Sequence, residues 1–121
     1  MTLYAQGDII IELVEHEPKS KIGPATSTSA GTDPDGSVVL ARGEVTGHRH
    51  RFDANAGVMM FRDDALARDM PTELYIGHVR VGASGADLVH EEHGTISLPN
   101  GTYRIRRQRE WDVGAARIVE D

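Results

Sequence analysis

Four of the six histidines in this 121-residue chain lie in two short clusters. The first is the segment TGHRHRF at residues 46–52, and the second is LVHEEHG at residues 88–94. Neutral imidazole is a common metal ligand, and an unperturbed histidine titrates near pH 6.5. The two clusters therefore allow three interpretations, which are a metal site, a pH-responsive patch, and an ordinary polar surface.

The first cluster has the spacing of two ligands on one strand. Side chains alternate across a strand, so an extended segment over residues 44–52 places Glu44, His48, His50 and Phe52 on one face. The Cα atoms of the two histidines would then lie about 6.5–7 Å apart, which lets both imidazoles converge on one cation. Phe52 on the same face indicates that this face is turned toward the interior.

The second cluster needs a bend before both of its histidines can contribute. In a regular strand His90 and His93 lie on opposite faces, and Gly94 makes a turn or bulge plausible there. One of these histidines, or a glutamate, can complete a set with the first cluster. Three histidines, or two and a carboxylate, with open positions suit zinc, iron, manganese or nickel. The predicted metal ligands are His48, His50, His90, His93 and Glu44.

Composition restricts the class of protein that carries these clusters. The formal net charge is −6, which argues against a nucleic-acid partner, and no run of about 18 apolar residues predicts a membrane span. The chain has no cysteine, so disulfides and thiolate metal sites are excluded. We expect a cytoplasmic protein, or a virion component if the chain is phage-encoded.

The elements that must position the histidines are short strands. Residues 17–36 are rich in proline, glycine, serine and threonine, and predict a long, flexible, protease-sensitive loop. Residues 62–70 can hold one helical turn, which Pro71 ends. Seven or eight short strands predict a single all-β domain over residues 1–121, either a barrel or a sandwich. The strands are predicted over residues 8–14, 37–52, 57–62, 72–81, 87–93, 95–98 and 102–111, and the strand over 37–52 is expected to bend at Gly43 or Gly47.

The segments GEVTGHRHRF and HGTISLPNGTYRI are similar in layout to the two motifs of cupins. The resemblance implies a cupin-like β-barrel and a metal bound by His48 and His50. It is partial, because Arg104 stands where the last cupin histidine would be, and Asp53 or nothing takes the place of the carboxylate ligand. It therefore supports the β fold more than it supports cupin chemistry.

A wider resemblance links the chain to small proteins of actinobacterial and phage genomes. The shared features are Gln6-Gly7-Asp8, the segment from Gly43 to His50, residues 88–93, an LP-G-Y turn, and residues 106–111. The resemblance covers most of the chain except the loop at 17–36. It implies a common family and no established function.

The last predicted strand raises a separate question of charge. Alternation places Tyr103, Ile105, Arg107, Arg109 and Trp111 on one face, which should be the core face. Buried arginines need partners, and Glu44, Glu91 and Glu92 are candidates. Either an edge strand or a bulge turns both arginines outward, or an arginine–glutamate network supports the histidines from behind or binds an anionic substrate.

Two classes of function remain. The first is a small metal-binding β-domain, which can be a metalloenzyme although no reaction can be named from the sequence. The second is a non-catalytic binding or structural module, such as a phage or particle accessory protein whose copies contact one another as a homo-oligomer or as particle subunits.

Overall fold

The computed structural model of the chain describes residues 2–14, 33–42 and 47–108. Most of the predicted loop at 17–36, as well as Glu44, Arg109 and Trp111, lies outside these ranges. Residues 33–36 form a turn in which the Gly36 amide donates to the carbonyl of Asp33 over 2.8 Å. The assignment of residues 1–121 to a single domain stays a prediction.

The described residues form nine strands in two antiparallel sheets. The five-stranded sheet has the order β1-β2-β9-β6-β5, and the four-stranded sheet has the order β3-β4-β7-β8. The strands are β1 Leu3–Gln6, β2 Ile9–Leu13, β3 Val38–Arg42, β4 Arg49–Phe52, β5 Val58–Phe61, β6 Tyr75–Val81, β7 Ala86–Val89, β8 Ile96–Leu98 and β9 Gly101–Arg107.

One hydrophobic core lies between the two sheets. Ile11 and Ile105 enter it from the larger sheet, and Phe52, Leu88 and Leu98 enter it from the smaller one. The all-β prediction is therefore confirmed, with two sheets packed as a sandwich. The barrel alternative is wrong for the described part of the chain, because no strand of one sheet pairs with a strand of the other.

Helical structure in the described residues is limited to two 3-10 turns after β5, at Asp64–Ala67 and Thr72–Leu74. Asp63 caps the first, because its carboxylate accepts from the Ala65 amide over 3.0 Å. The predicted helical turn at 62–70 is thus present, and it ends before Pro71. No helix in the described ranges has the length and hydropathy needed to cross a membrane.

The predicted strand over 37–52 is two strands, β3 and β4, which pair antiparallel on either side of the glycine-containing segment. Gly47 has a φ of 73°, which a glycine adopts without strain. The suggestion that the last strand lies at a sheet edge is wrong. β9 lies at the centre of the larger sheet, between β2 and β6.

Both faces of β9 carry buried residues, Thr102 and Arg106 on one face and Tyr103 and Ile105 on the other, so alternation does not separate buried from exposed arginines. Arg106 is the buried one, with 2% of its surface exposed, and its guanidinium lies 3.3 Å from the Glu12 carboxylate. Arg107 follows the last core residue of its face, so it reaches solvent at the end of the sandwich. The carboxylate that it contacts is Asp8 rather than a glutamate.

Candidate metal centre

Strand pairing brings the two histidine clusters together. β4 pairs with β7 so that Arg51 lies opposite Val89 and Phe52 opposite Leu88. Continuing this antiparallel register by one residue places His50 opposite His90. The centroids of these two imidazole rings lie 4.3 Å apart, which is direct contact.

The end of β7 allows the second histidine of its cluster to join. The strand ends at Val89, and the chain bends over residues 91–93. His93 therefore returns toward the same side as His90, with 4.6 Å between the two ring centroids. Its ring is nearly parallel to that of His50, at an interplanar angle of 7° and a centroid distance of 6.2 Å. The bend that the sequence required is thus present.

The four histidines surround a cleft of about 280 Å³ at one end of the sandwich. The four histidines differ in their exposure to solvent. His50 is only 4% exposed, His48 and His90 are half-buried, and His93 is exposed. The cleft therefore has a closed inner wall and an open mouth. It is lined by Asp8, Arg42, His48, His50, His90, Glu92 and His93.

The turn between β1 and β2 forms the remaining wall of the cleft and comes from the other sheet. Gly7 and Asp8 are the two loop residues of this hairpin, and Gly7 has a φ of 59°, as the first residue of a type II′ turn requires. A Cβ atom on Gly7 would lie 2.7 Å from His93 Nε2. Glycine is therefore needed here both for the turn and for the approach of the imidazole.

Gln6 fixes which nitrogen of His50 carries the proton. Its amide nitrogen donates to the carbonyls of Leu88 and Gly94, each over 2.9 Å, so its amide oxygen must face the ring. That oxygen lies 2.9 Å from His50 Nδ1 and can only accept, so Nδ1 is the protonated nitrogen. The lone pair of the neutral ring is therefore on Nε2, which is the nitrogen turned toward the cleft.

His48 and His90 differ in which ring nitrogen carries the proton. His48 Nδ1 lies 2.5 Å from the Glu92 carboxylate, which in the neutral ring favours a proton on Nδ1 and a lone pair on Nε2. His90 Nδ1 instead accepts from the Glu92 amide over 3.0 Å, so its proton lies on Nε2. In their neutral forms His48 and His50 therefore share the same tautomer, with Nε2 unprotonated, whereas His90 carries its proton on Nε2.

Burial keeps the inner histidine neutral. Removal from water, followed by the proximity of His90, lowers the pKa of His50 to about 4, and the Asp8 carboxylate partly opposes this shift. Burial, followed by the proximity of His93, also lowers the pKa of His90. At neutral pH the imidazole of His50 therefore offers a lone pair, as metal ligation requires.

Two lone-pair groups face each other at the centre of the cleft. His50 Nε2 lies 3.5 Å from Asp8 Oδ1, and neither atom carries a proton when the ring is neutral. The other oxygen of Asp8 lies 3.5 Å from an Arg107 guanidinium nitrogen, which orients the carboxylate. Two acceptors at this distance repel each other, and a cation or a hydrogen-bond donor between them removes the repulsion.

The cleft thus contains all four predicted histidines, whereas Glu44 lies outside the described residues. Sequence reasoning assigned no role to Gln6, Asp8 or Arg42. Gln6 and Asp8 stood in a segment shared with similar proteins, which was the available signal. Within residues 2–14, 33–42 and 47–108, no three His, Asp or Glu side chains are already arranged to hold a metal ion. Binding would therefore require side-chain rotation.

Comparison with known proteins adds a family and no activity. A family model described as Domain of unknown function (DUF8820) matches residues 5–108, which includes every described residue of the cleft. No curated protein matches the chain. No solved structure matches it either.

Proposed function

We propose that this chain, which belongs to the DUF8820 family, binds a divalent transition metal ion in the cleft between its two sheets. The observation that carries the proposal is the pair formed by His50 Nε2 and Asp8 Oδ1, two ligand atoms 3.5 Å apart with no proton between them. A divalent ion between them converts a repulsive contact into two bonds.

The separation of this pair suits a tetrahedral ion. Nitrogen and oxygen ligands lie about 2.0–2.1 Å from zinc, which puts two ligand atoms of a tetrahedron roughly 3.3–3.4 Å apart. The observed distance exceeds this value by a few tenths of an ångström at most. His50 and Asp8 can therefore bind the same ion with almost no movement of the backbone.

His93 is the third ligand in this proposal, and His48 is an additional donor. His93 Nε2 lies against Gly7, next to Asp8, and the exposed His93 side chain can rotate toward the ion. Glu92 lies at the Nδ1 side of His48, so metal binding by this ring would use Nε2. His90 must lose its hydrogen bond to the Glu92 amide before it can bind a metal through Nδ1.

The donors are imidazole nitrogens and a carboxylate oxygen, without thiolate. This set suits zinc, iron, manganese and nickel, and two histidines with one carboxylate leave coordination positions open. Gln6, Glu92 and Arg107 supply the outer contacts that orient such ligands. The proposed function is metal binding. A metalloenzyme activity would need a substrate at one of the open coordination positions of the ion.

Calorimetric titration of EDTA-treated protein with Zn²⁺, Co²⁺, Mn²⁺ and Ni²⁺ tests the proposal. We expect one ion per chain for at least one metal, and loss of binding in the double variant His48→Ala/His50→Ala. Asp8→Asn should weaken binding strongly, whereas Asp53→Asn should not. The two aspartates are matched, because both side chains are largely exposed and both contact an arginine.

Melting curves give an independent readout. Protons compete with metal for imidazole, and the lowered pKa of His50, at about 4, moves this competition below the unperturbed histidine range. EDTA should therefore lower the melting temperature at about pH 7.5 and hardly change it at about pH 4. Absence of metal binding in the titration, with no effect of EDTA at either pH, would overturn the proposal. Assembly of such metal-free protein into oligomers would favour the structural module instead.

A further inference from the structure

We infer that the metal-loaded cleft binds a small oxyanion, a carboxylate or a phosphate, between the open coordination position of the ion and the guanidinium of Arg42. This inference rests on the proposed metal site, and it names the class of ligand or substrate that the site would take. The position of Arg42, the charge of the cleft and the size of the cleft all favour such a ligand.

Arg42 is placed on the wall of the cleft by its strand and by one ion pair. It is the last residue of β3, opposite Arg49 in the β3–β4 pairing, and it lines the cleft together with the four histidines. Its guanidinium donates to the carboxylate of Asp33, whose other oxygen accepts from Arg49 over 2.7 Å. The Asp33 carboxylate therefore holds Arg42 next to the strand that carries His50.

The contact with Asp33 occupies only part of the guanidinium group of Arg42. A guanidinium has five N–H donors, and the contact to Asp33 is made through Nη2. About half of the Arg42 side chain is exposed, at 52%. Arg42 therefore keeps donors and open space with which to contact an anion at the mouth of the cleft.

The charge of the lining makes anion binding depend on the metal. Apart from the histidines, which are counted as neutral, the lining consists of the carboxylates of Asp8 and Glu92 and the guanidinium of Arg42. This leaves one net negative charge, which repels anions. A divalent ion changes it to one net positive charge, and the ion and Arg42 then attract an oxyanion together.

The size of the cleft limits the ligand to a small one. A volume of about 280 Å³ corresponds to roughly nine water molecules at about 30 Å³ each. Three protein ligands leave one position of a tetrahedral ion open, and zinc extends to five ligands when a further donor is present. The cleft thus has room for an ion and an anionic group of a few heavy atoms.

Cobalt substitution provides the test. Co²⁺ is first titrated into EDTA-treated protein, and its visible absorption then reports any added ligand. Inorganic phosphate and acetate are titrated separately at constant ionic strength, so that the two sources of an oxyanion are distinguished. We expect a saturable spectral change with at least one of them, and no binding of that anion to the metal-free protein by calorimetry.

Variants at the rim isolate the role of Arg42. Arg42→Gln should weaken anion binding by about tenfold or more, because a charge-assisted hydrogen bond is lost, without preventing Co²⁺ binding. Arg42→Lys, which keeps the charge but loses the fork, should give an intermediate affinity. Arg51→Gln is the matched control, since Arg51 also forms an ion pair with an aspartate but does not line the cleft, so its affinity should stay close to wild type.

Each other outcome overturns a defined part of the argument. If Co²⁺ binds but neither anion changes the spectrum, the anion inference is wrong and the metal site stands. If Co²⁺ does not bind, the anion inference fails, and if none of the four titrated metals binds, the metal site is wrong as well. If Arg42→Gln binds the anion as tightly as wild type, Arg42 is not a contact. If the metal-free protein binds the anion equally well, the charge argument is wrong.

Discussion

Two histidines of this protein, His50 and His78, are almost completely buried, at 4% and 1% exposure. Burial is the main cause that lowers the pKa of each to about 4. Their surroundings differ completely. His78 stacks on Phe61 and contacts the hydroxyl of Tyr75, whereas His50 faces a carboxylate, two more imidazoles and an open cleft.

The hydrogen bonds explain how each ring is used. The Tyr75 hydroxyl accepts from the Asp63 amide over 3.0 Å, so its own proton goes to His78 Nδ1, 2.6 Å away. His78 thereby joins the 3-10 segment to the sheet. The proton of His50 is held by Gln6, on the side away from the cleft. Burial and a lowered pKa are therefore common to both rings, and it is the group facing the unprotonated nitrogen that distinguishes the proposed ligand His50 from His78.

The largest expected difference between the two regions is in stability without metal. His78→Ala should lower the free energy of unfolding by about 3 kcal/mol, because it leaves a cavity beside Phe61 and removes the partner of the Tyr75 hydroxyl. His48→Ala, at the half-buried rim, should cost less than about 1 kcal/mol. Urea denaturation in EDTA measures both, and equal costs would contradict the contrast.

The second prediction concerns the residue that orients His50. Gln6→Leu should weaken metal binding by about 10- to 100-fold, because the ring loses the contact that sets its tautomer. Nitrogen NMR of the metal-free protein should show the proton of His50 on Nδ1 in the wild type and a mixture of tautomers in the variant. A wild-type ring protonated on Nε2 would refute the positioning role, whatever the metal affinity.

The third prediction concerns the property that the two regions share, a buried histidine with a lowered pKa. The folded-state pKa of His78 lies at about 4, below the unperturbed value of about 6.5, so the unfolded chain binds more protons between these values. In EDTA, stability should therefore be full above about pH 6.5 and fall as pH drops toward 4, with a contribution from His78 of up to about 1.4 kcal/mol per pH unit.

A variant isolates that contribution. Arg104, Asp63 and Glu12 also influence the ring of His78, and their charges are retained in His78→Phe. The pH dependence of unfolding by urea should be shallower in this variant than in the wild type. An unchanged slope between about pH 6.5 and 4 would mean that His78 is not held neutral by the fold.

The smallest expected effect is the difference between alanine variants of two glycines. Gly7 and Gly47 both have positive φ, and a Cβ atom on Gly47 meets nothing within 4 Å, whereas one on Gly7 meets His93 and His50. Each alanine variant should lose about 1–2 kcal/mol from backbone strain. Gly7→Ala should lose somewhat more and also weaken metal binding. Identical metal affinities in the two variants would place His93 outside the ligand set.

Local pattern was sufficient to predict part of the site. Alternation placed His48 and His50 on one face, and both line the cleft, with Phe52 fully buried beyond them. Gly94 indicated the bend that lets His93 join His90. These conclusions depend only on residues close together in the chain, where spacing determines direction.

The remaining wall of the cleft could not be predicted in this way. Gln6 lies 82 residues from Leu88, whose carbonyl it contacts, and spacing does not indicate which hairpin lies opposite which strand. β1 is only four residues long and gave no strand signal of its own. Alternation also failed to show which arginine of the last strand is buried. It assumes that one face of a strand is exposed, and neither face of β9 is exposed over most of its length.

The contact between Gln6 and the carbonyls of Leu88 and Gly94 has a consequence for the order of events in folding. It joins the first hairpin of one sheet to the other sheet across more than 80 residues of chain, so the cleft exists only after the two sheets have docked. Closing so long a loop is a slow step of folding. An ion would thus be captured at the end of folding, and its loss would precede the separation of the sheets.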